Sequence, residues 1–265
     1  SFSDEELQWM NRAHNAFESL ASIDEIQQAG FDNFSVDLIF GSPLLSNEAL
    51  EQNLDILFRS LVPHLSCYAL TVEPRTALDH MVKSHRSKPV DPEKQATQFL
   101  MLMQAMKANG YEQYEISNYS KPGMRSKHNS AYWQGKPYAG YGPSAHSYDG
   151  IKSRRWNIAN NSLYIQSLQE DKIPFEEEIL SPTQQLNEYI MTSLRTIEGM
   201  DQQQIKKLSS DANAAIILKA CEPFIQSGKM EFDSGKITLT DNGKLFADGI
   251  ASDLFFNDED FVAGI

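Results

Sequence analysis

Short apolar runs, bounded by turn residues and separated by amphipathic helices, constrain the first part of this chain most. Phe34–Phe40 (FSVDLIF) is nearly continuous in apolar character and ends at Gly41-Ser42-Pro43, the pattern of a strand buried on both faces. Before it, Ser3 followed by Glu6 gives a capping-box start, and a second helix is expected from about Asn15 to Gln28, stopping at Gly30. After it, Leu50, Leu54, Leu57 and Phe58 predict a helix over 47–60, and Leu65–Val72 predicts a strand ended by Glu73-Pro74. Asp91-Pro92 supplies an N-cap and a first-turn proline for a helix that ends at Asn109-Gly110, and Tyr111–Ser117 is expected as a third strand. Strands alternating with long helices predict parallel pairing through crossovers. An open Rossmann-like sheet and part of a (β/α) barrel both satisfy that order. Asp37 and Glu115 stand inside apolar strands, where a carboxylate either faces a ligand at the strand ends or is a buried, hydrogen-bonded structural group.

The rest of the chain reads differently. Residues 121–158 are rich in Gly, Pro and aromatics, with little helical periodicity. Beyond Ser181-Pro182, helices are expected over 184–195, 201–208 and 214–227. Lys229–Thr240 then alternates apolar and polar residues around Asp233-Ser234-Gly235, a hairpin signal. Three helices and a hairpin make a small winged-helix-like α+β module. The predicted division is 1–120, 121–178 and 179–265. Winged helices often bind DNA, but a formal charge of −13 and the lack of a basic recognition helix argue against nucleic acid and favour a docking or lid role. No apolar run reaches the ~18–20 residues of a membrane helix. Cys67 and Cys221, two distant thiols, predict a reducing, cytoplasmic compartment and no disulfide. The first ten residues are acidic and carry no signal-peptide pattern.

Two segments could carry chemistry. His128-Asn129-Ser130-Ala131-Tyr132-Trp133 places an imidazole, an amide and two large aromatics within six residues. Such a group can grip a flat ligand, with the imidazole as an axial ligand to haem iron or a proton donor. The competing reading is a buried strand-edge motif whose histidine is satisfied by backbone. Lys121, Arg125 and Lys127 just upstream are candidate partners for ligand carboxylates. The second segment, Tyr138–Tyr148, contains Gly140-x-Gly142-x-x-Ala145. That superficial dinucleotide fingerprint lacks the helix it would have to open, so it reads instead as a strand and loop bringing main chain close to a ligand. His146 is either a ligand contact or a support for that loop. Arg12 alone reads most simply as a surface charge, and Met101, Met103 and Met106 read as core. No spacing identifies a catalytic residue.

Taken in order, several motifs make the sequence familiar. They are Ser1-Phe-Ser-Asp-Glu-Glu-Leu7, Asn11-Arg12-Ala-His14, Val36-Asp-Leu-Ile-Phe-Gly41, Tyr68-Ala-Leu-Thr-Val-Glu-Pro74, Tyr114-Glu-Ile-Ser-Asn118, His128-Asn-x-x-Tyr-Trp133, Gly140-x-Gly-Pro-x-Ala-His-Ser147 and Leu239-Thr-x-x-Gly-Lys-Leu-x-x-Asp-Gly-Ile250. Together they resemble the oxygen-independent coproporphyrinogen III oxidase-like radical SAM family (HemN/HemW), with HNxxYW pointing to the HemW branch of haem chaperones. The resemblance implies the C-terminal part of a partial (β/α) radical SAM barrel followed by a winged-helix-like domain. It also implies S-adenosyl-L-methionine (SAM) and a [4Fe–4S] cluster in the intact protein, haem or porphyrin as cargo, and a haem-acceptor protein as partner. The family's CxxxCxxC cluster motif does not occur here, and the first residue is Ser, so the chain is expected to be a piece without the cluster-binding part and inactive alone. Residue by residue, the resemblance places Arg12, Asp37, Ala69 and His146 near SAM. It places His128, Asn129, Tyr132 and Trp133 against haem, His128 as a candidate iron ligand. A true coproporphyrinogen III oxidase and a non-catalytic ligand-binding module are the alternatives.

Overall fold

The computed structural model describes residues 1–262 and divides the chain into two compact units, Ser1–Ser126 and Lys127–Ile265. In the first unit, α1 (Asp4–Trp9) starts at Ser3, whose side chain accepts from the Glu6 amide. The reciprocal half of the expected capping box does not form. Glu6 is buried, and its carboxylate instead accepts from the hydroxyls of Ser1 and Ser42. Helix α2 (Ala16–Gln28) does have a complete capping box, between Asn15 and Glu18. Next come β1 (Ser35–Phe40), α3 (Asn47–Arg59) and β2 (His64–Ala69), a β-α-β unit in which β1 and β2 pair in parallel, Asp37 opposite Ser66. A short helix that the periodicity did not reveal, α4 (Ala77–Lys83), is capped by Thr76 and precedes α5 (Pro92–Ala108), which starts at Asp91 as expected.

The third strand departs from a simple parallel run. β3 (Glu112–Glu115) turns back at once into β4 (Asn118–Ser120), and β4 inserts antiparallel between β2 and β3, giving the order β1-β2-β4-β3. The cause is local. Glu115, 1% exposed, accepts from the Ser117 amide and the Asn118 side chain and so closes the turn. Of its two sequence readings, the structural one holds.

β1 is an edge strand, not a strand buried on both faces. Leu38 and Phe40 join Leu54, Leu57, Leu65, Leu102 and Met106 in the core, with Val36 packed against it on the same face. Ser35 and Asp37 project from the opposite, open face.

The second unit begins with α6 (Lys127–Trp133), followed by a three-stranded antiparallel sheet of β5 (His146–Tyr148), β6 (Ser153–Asn157) and β7 (Phe175–Ile179), with α7 (Asn161–Gln169) between the last two. Then α8 (Pro182–Leu194), β8 (Met200–Asp201), α9 (Gln202–Leu208), α10 (Asp211–Gln226), β9 (Met230–Asp233) and β10 (Lys236–Leu239) form three helices and a wing, the strands in the order β8-β10-β9. Ser234 and Gly235, at φ 51° and 84°, make the hairpin turn where Asp-Ser-Gly announced one. Leu186, Ile190, Ile205, Ile217, Ile237 and Ile250 are buried here, the last from α12 (Ala247–Asp253), which follows α11 (Asp241–Lys244). No helix among the described residues is long and apolar enough to cross a membrane.

Candidate functional site

The HNxxYW residues lie on a helix, which neither sequence reading anticipated. In α6, positions i and i+4 share a face, so His128 and Tyr132 come together, with ring centroids 4.9 Å apart and planes at 87°. The row continues edge-to-face from Tyr132 to Tyr138, 4.8 Å, and then, with the planes tilted at 48°, to Tyr148 of β5, 6.2 Å. His128 and Tyr132 are solvent-exposed, so the strand-edge reading with a buried, backbone-satisfied histidine does not describe this structure. Trp133 turns another way: the Arg195 guanidinium lies 5.3 Å from its ring centroid, and its buried indole N–H has no hydrogen-bond partner among the described residues.

His146 stands on the face of β5 that carries Tyr148. It is paired with Trp156 of β6, their rings 6.2 Å apart, and the Trp156 indole donates to Glu176 at 3.1 Å. Arg154, opposite Tyr148, covers that ring at 5.4 Å and forms an ion pair with Glu188. The Gly-rich segment is held against β5 by main-chain bonds in both directions between Tyr138 and Tyr148, 3.0 and 2.9 Å, and by the Gly140 amide donating to Ser147 Oγ at 3.0 Å. The approach is so close that a Cβ on Gly140 would meet the backbone of His146. Asn157, 7% exposed, donates through its amide to the Gly142 carbonyl at 2.9 Å and ties the loop to β6. Sequence reasoning missed Tyr138, Trp156 and Asn157. The i,i+4 spacing of His128 and Tyr132 was a usable signal for the helix; nothing in the sequence announced the contacts that Tyr138, Trp156 and Asn157 make.

The remaining candidates lie in the first unit. Arg12 is exposed just after α1. Asp37 sits in mid-strand rather than at a strand end, its carboxylate open to a cavity of about 400 Å³ that Ser35, Val36, His14, Glu18 and Ile23 help to line. Ala69 ends β2 and, by alternation, its side chain points to the other face; Tyr68, 40% exposed, shares the Asp37 face instead. Beneath Ser35 a buried network runs from Ser35 Oγ to His64 Nδ1, 2.8 Å, and from His64 Nε2 to Tyr114 Oη, 2.7 Å. Burial pushes the His64 pKa below its usual value, and the nearby Asp37 charge opposes that only in part. Thus Asp37 and Ala69 fall on adjacent strands of one unit, with Arg12 elsewhere on that unit, and His146 belongs to the other.

The HemN C-terminal domain family matches residues 180–246, the winged helices and hairpin. The chain is 28% identical to the haem chaperone HemW of Bacillus subtilis (strain 168) over 94% of its own length and 66% of that protein. It is likewise 28% identical to HemW of Haemophilus influenzae over 98% of its length and 66% of that protein. The fold matches that of coproporphyrinogen III oxidase (HemN) from Escherichia coli, a radical SAM enzyme, with a TM-score of 0.77 at 20% identity over 96% of this chain and 62% of that one. The resemblance to the HemN/HemW family holds. The mouse mitochondrial protein named radical S-adenosyl methionine domain-containing protein 1 is 36% identical over 55% of this chain and 33% of its own. The chain spans about two thirds or less of the length of these relatives.

Radical SAM relatives imply SAM and a [4Fe–4S] cluster for full-length HemN/HemW proteins. The described residues do not fit the cluster. Cys67 and Cys221 are both buried and lie in different units, and burial pushes both thiols up, Cys221 to about 12. The open face around Asp37 does suit part of SAM, since an exposed carboxylate accepts from ribose hydroxyls or an ammonium.

Proposed function

We propose that this chain is the haem-handling part of a HemW-like haem chaperone. The observation that carries this reading is the exposed edge-to-face row on α6, where His128 packs on Tyr132 and Tyr132 on Tyr138. A porphyrin is flat and apolar with one coordination site on each face of its iron. An accessible imidazole offers an axial ligand, and the tyrosine edges offer contact along the macrocycle. In this reading Asn129 and Trp133 complete the haem-facing group, within a three-part division of the chain into 1–120, 121–178 and 179–265. Of the residues that the resemblance places near SAM, Arg12, Asp37 and Ala69 share the first unit and serve SAM there; His146 belongs to the other unit. SAM, when bound with a cluster, would supply radical chemistry; the part of Asp37 is to hold and orient it.

The test is a titration of haemin into the purified chain, followed by the Soret band. Binding is expected, and His128→Ala should weaken it by about tenfold or more and shift the band, with circular dichroism unchanged. An unaltered band and affinity in His128→Ala would overturn the assignment. Conversion of coproporphyrinogen III to protoporphyrinogen IX by the intact protein would favour the oxidase alternative instead.

A further inference from the structure

A haem carries two propionates, and this chain carries a formal charge of −13. A dianion approaching such a surface is repelled unless unpaired cations stand where it lands. Three basic residues, Lys121, Arg125 and Lys127, stand just before His128 in sequence, but the structure commits two of them elsewhere. Lys121 donates to the Asn109 carbonyl and lies 4.3 Å from the Tyr111 ring centroid, and Arg125 pairs with Glu112 at 2.9 Å. Around the site, Arg154 pairs with Glu188, Arg155 with Glu177 and Arg195 with Asp248.

Two cations remain at α6. Lys127 is its first residue, and Lys136 follows its last turn; both are exposed, and among the described residues neither ammonium has an ion-pair or hydrogen-bond partner. Lys136 is placed by backbone rather than chance: Gly135, at φ 62°, donates to the Tyr132 carbonyl and Lys136 to that of Ala131, each at 3.0 Å. A seven-residue helix rises ~10 Å, so the two lysines bracket the His128–Tyr132 face, and their flexible stems can bring both charges to one edge of a bound ring. We propose that Lys127 and Lys136 form a two-point clamp for the carboxylates of an amphipathic dianionic macrocycle held at α6. This rests on the haem reading above and extends it to the ligand class: free-acid porphyrins, not their esters.

The experiment titrates haemin and haemin dimethyl ester, in the same dilute detergent, into the chain, into a Lys127→Gln/Lys136→Gln variant and into His128→Ala. Exposed ion pairs contribute a few tenths to ~1 kcal/mol each, so the double variant should bind haemin about five- to tenfold more weakly and bind the diester as the unmodified chain does. His128→Ala should weaken both ligands. If the lysine variant holds haemin as tightly as the unmodified chain, or loses the same factor for both ligands, the clamp is wrong while the His128 response preserves the haem reading. If the unmodified chain binds neither ligand, the haem reading fails and the clamp with it.

Discussion

Gly140→Ala tests the geometry of the second unit most sharply. An added Cβ would fall against the carbonyl oxygen of His146, 2.8 Å from its carbonyl carbon and 2.9 Å from its amide nitrogen. Backbone stands on both sides, so no rotamer change relieves the contact. The chain must either absorb overpacking strain, ~1–3 kcal/mol with this case at the upper end, or separate the segment from β5. Separation gives up both Tyr138–Tyr148 main-chain bonds and the Gly140–Ser147 bond, at ~1 kcal/mol each. Both routes cost about 3 kcal/mol, and the smaller unfolded-state entropy of alanine returns ~0.5–1 kcal/mol. The net loss of ~2–2.5 kcal/mol should lower the melting temperature by about 5–10 °C in a chain of this length. Gly249→Ala is the control. Gly249 lies within α12 with nothing near its missing Cβ, so alanine there should raise stability by ~0.5–1 kcal/mol. Thermal unfolding followed by tryptophan fluorescence is suitable, because Trp133 and Trp156 both lie in this unit. A Gly140→Ala melting temperature within about 2 °C of the unmodified chain, with Gly249→Ala behaving as expected, would refute the close approach.

Because burial lowers the folded-state pKa of His64, the unfolded chain binds the extra proton first. Stability is therefore full above the ordinary histidine pKa of ~6.5 and declines as pH falls through that value towards the folded one. Urea denaturation between pH 7.5 and 5 should show that decline, and His64→Gln should flatten it; equal slopes would exclude His64 as the cause. Both cysteines are buried with raised pKa values, so a thiol-reactive disulfide reagent at pH 8 should label neither in the native state and both in guanidinium. Asn157→Ala removes the 2.9 Å bond to the Gly142 carbonyl and should cost ~1–2 kcal/mol. Haemin affinity unchanged in that variant would separate the loop from the binding face.

Much of the fold was legible because its signals are local. Asn15 with Glu18, Asp91-Pro92 and Asp-Ser-Gly at 233–235 each satisfy backbone groups within a few residues, so helix starts and the hairpin could be placed without knowing their neighbours. The family motifs were likewise readable, since each is a run of side chains. Sequence alone therefore settled the helix-and-strand order of the first unit apart from α4 and the β3–β4 hairpin, the winged module and the identity of the HNxxYW residues. Tertiary structure decided what those elements do to one another. Whether Glu115 faced a ligand or closed a turn depended on where its carboxylate found amides. Whether Phe34–Phe40 was covered on both faces depended on what packed above and below the sheet, and only the Val36, Leu38 and Phe40 face of β1 is covered. Tyr138, Trp156 and Asn157 became part of the site only through contacts across strands and between a loop and a sheet. Those contacts join residues six to fifteen positions apart in the chain. Periodicity and capping act over single turns, so no local rule could have brought these groups together.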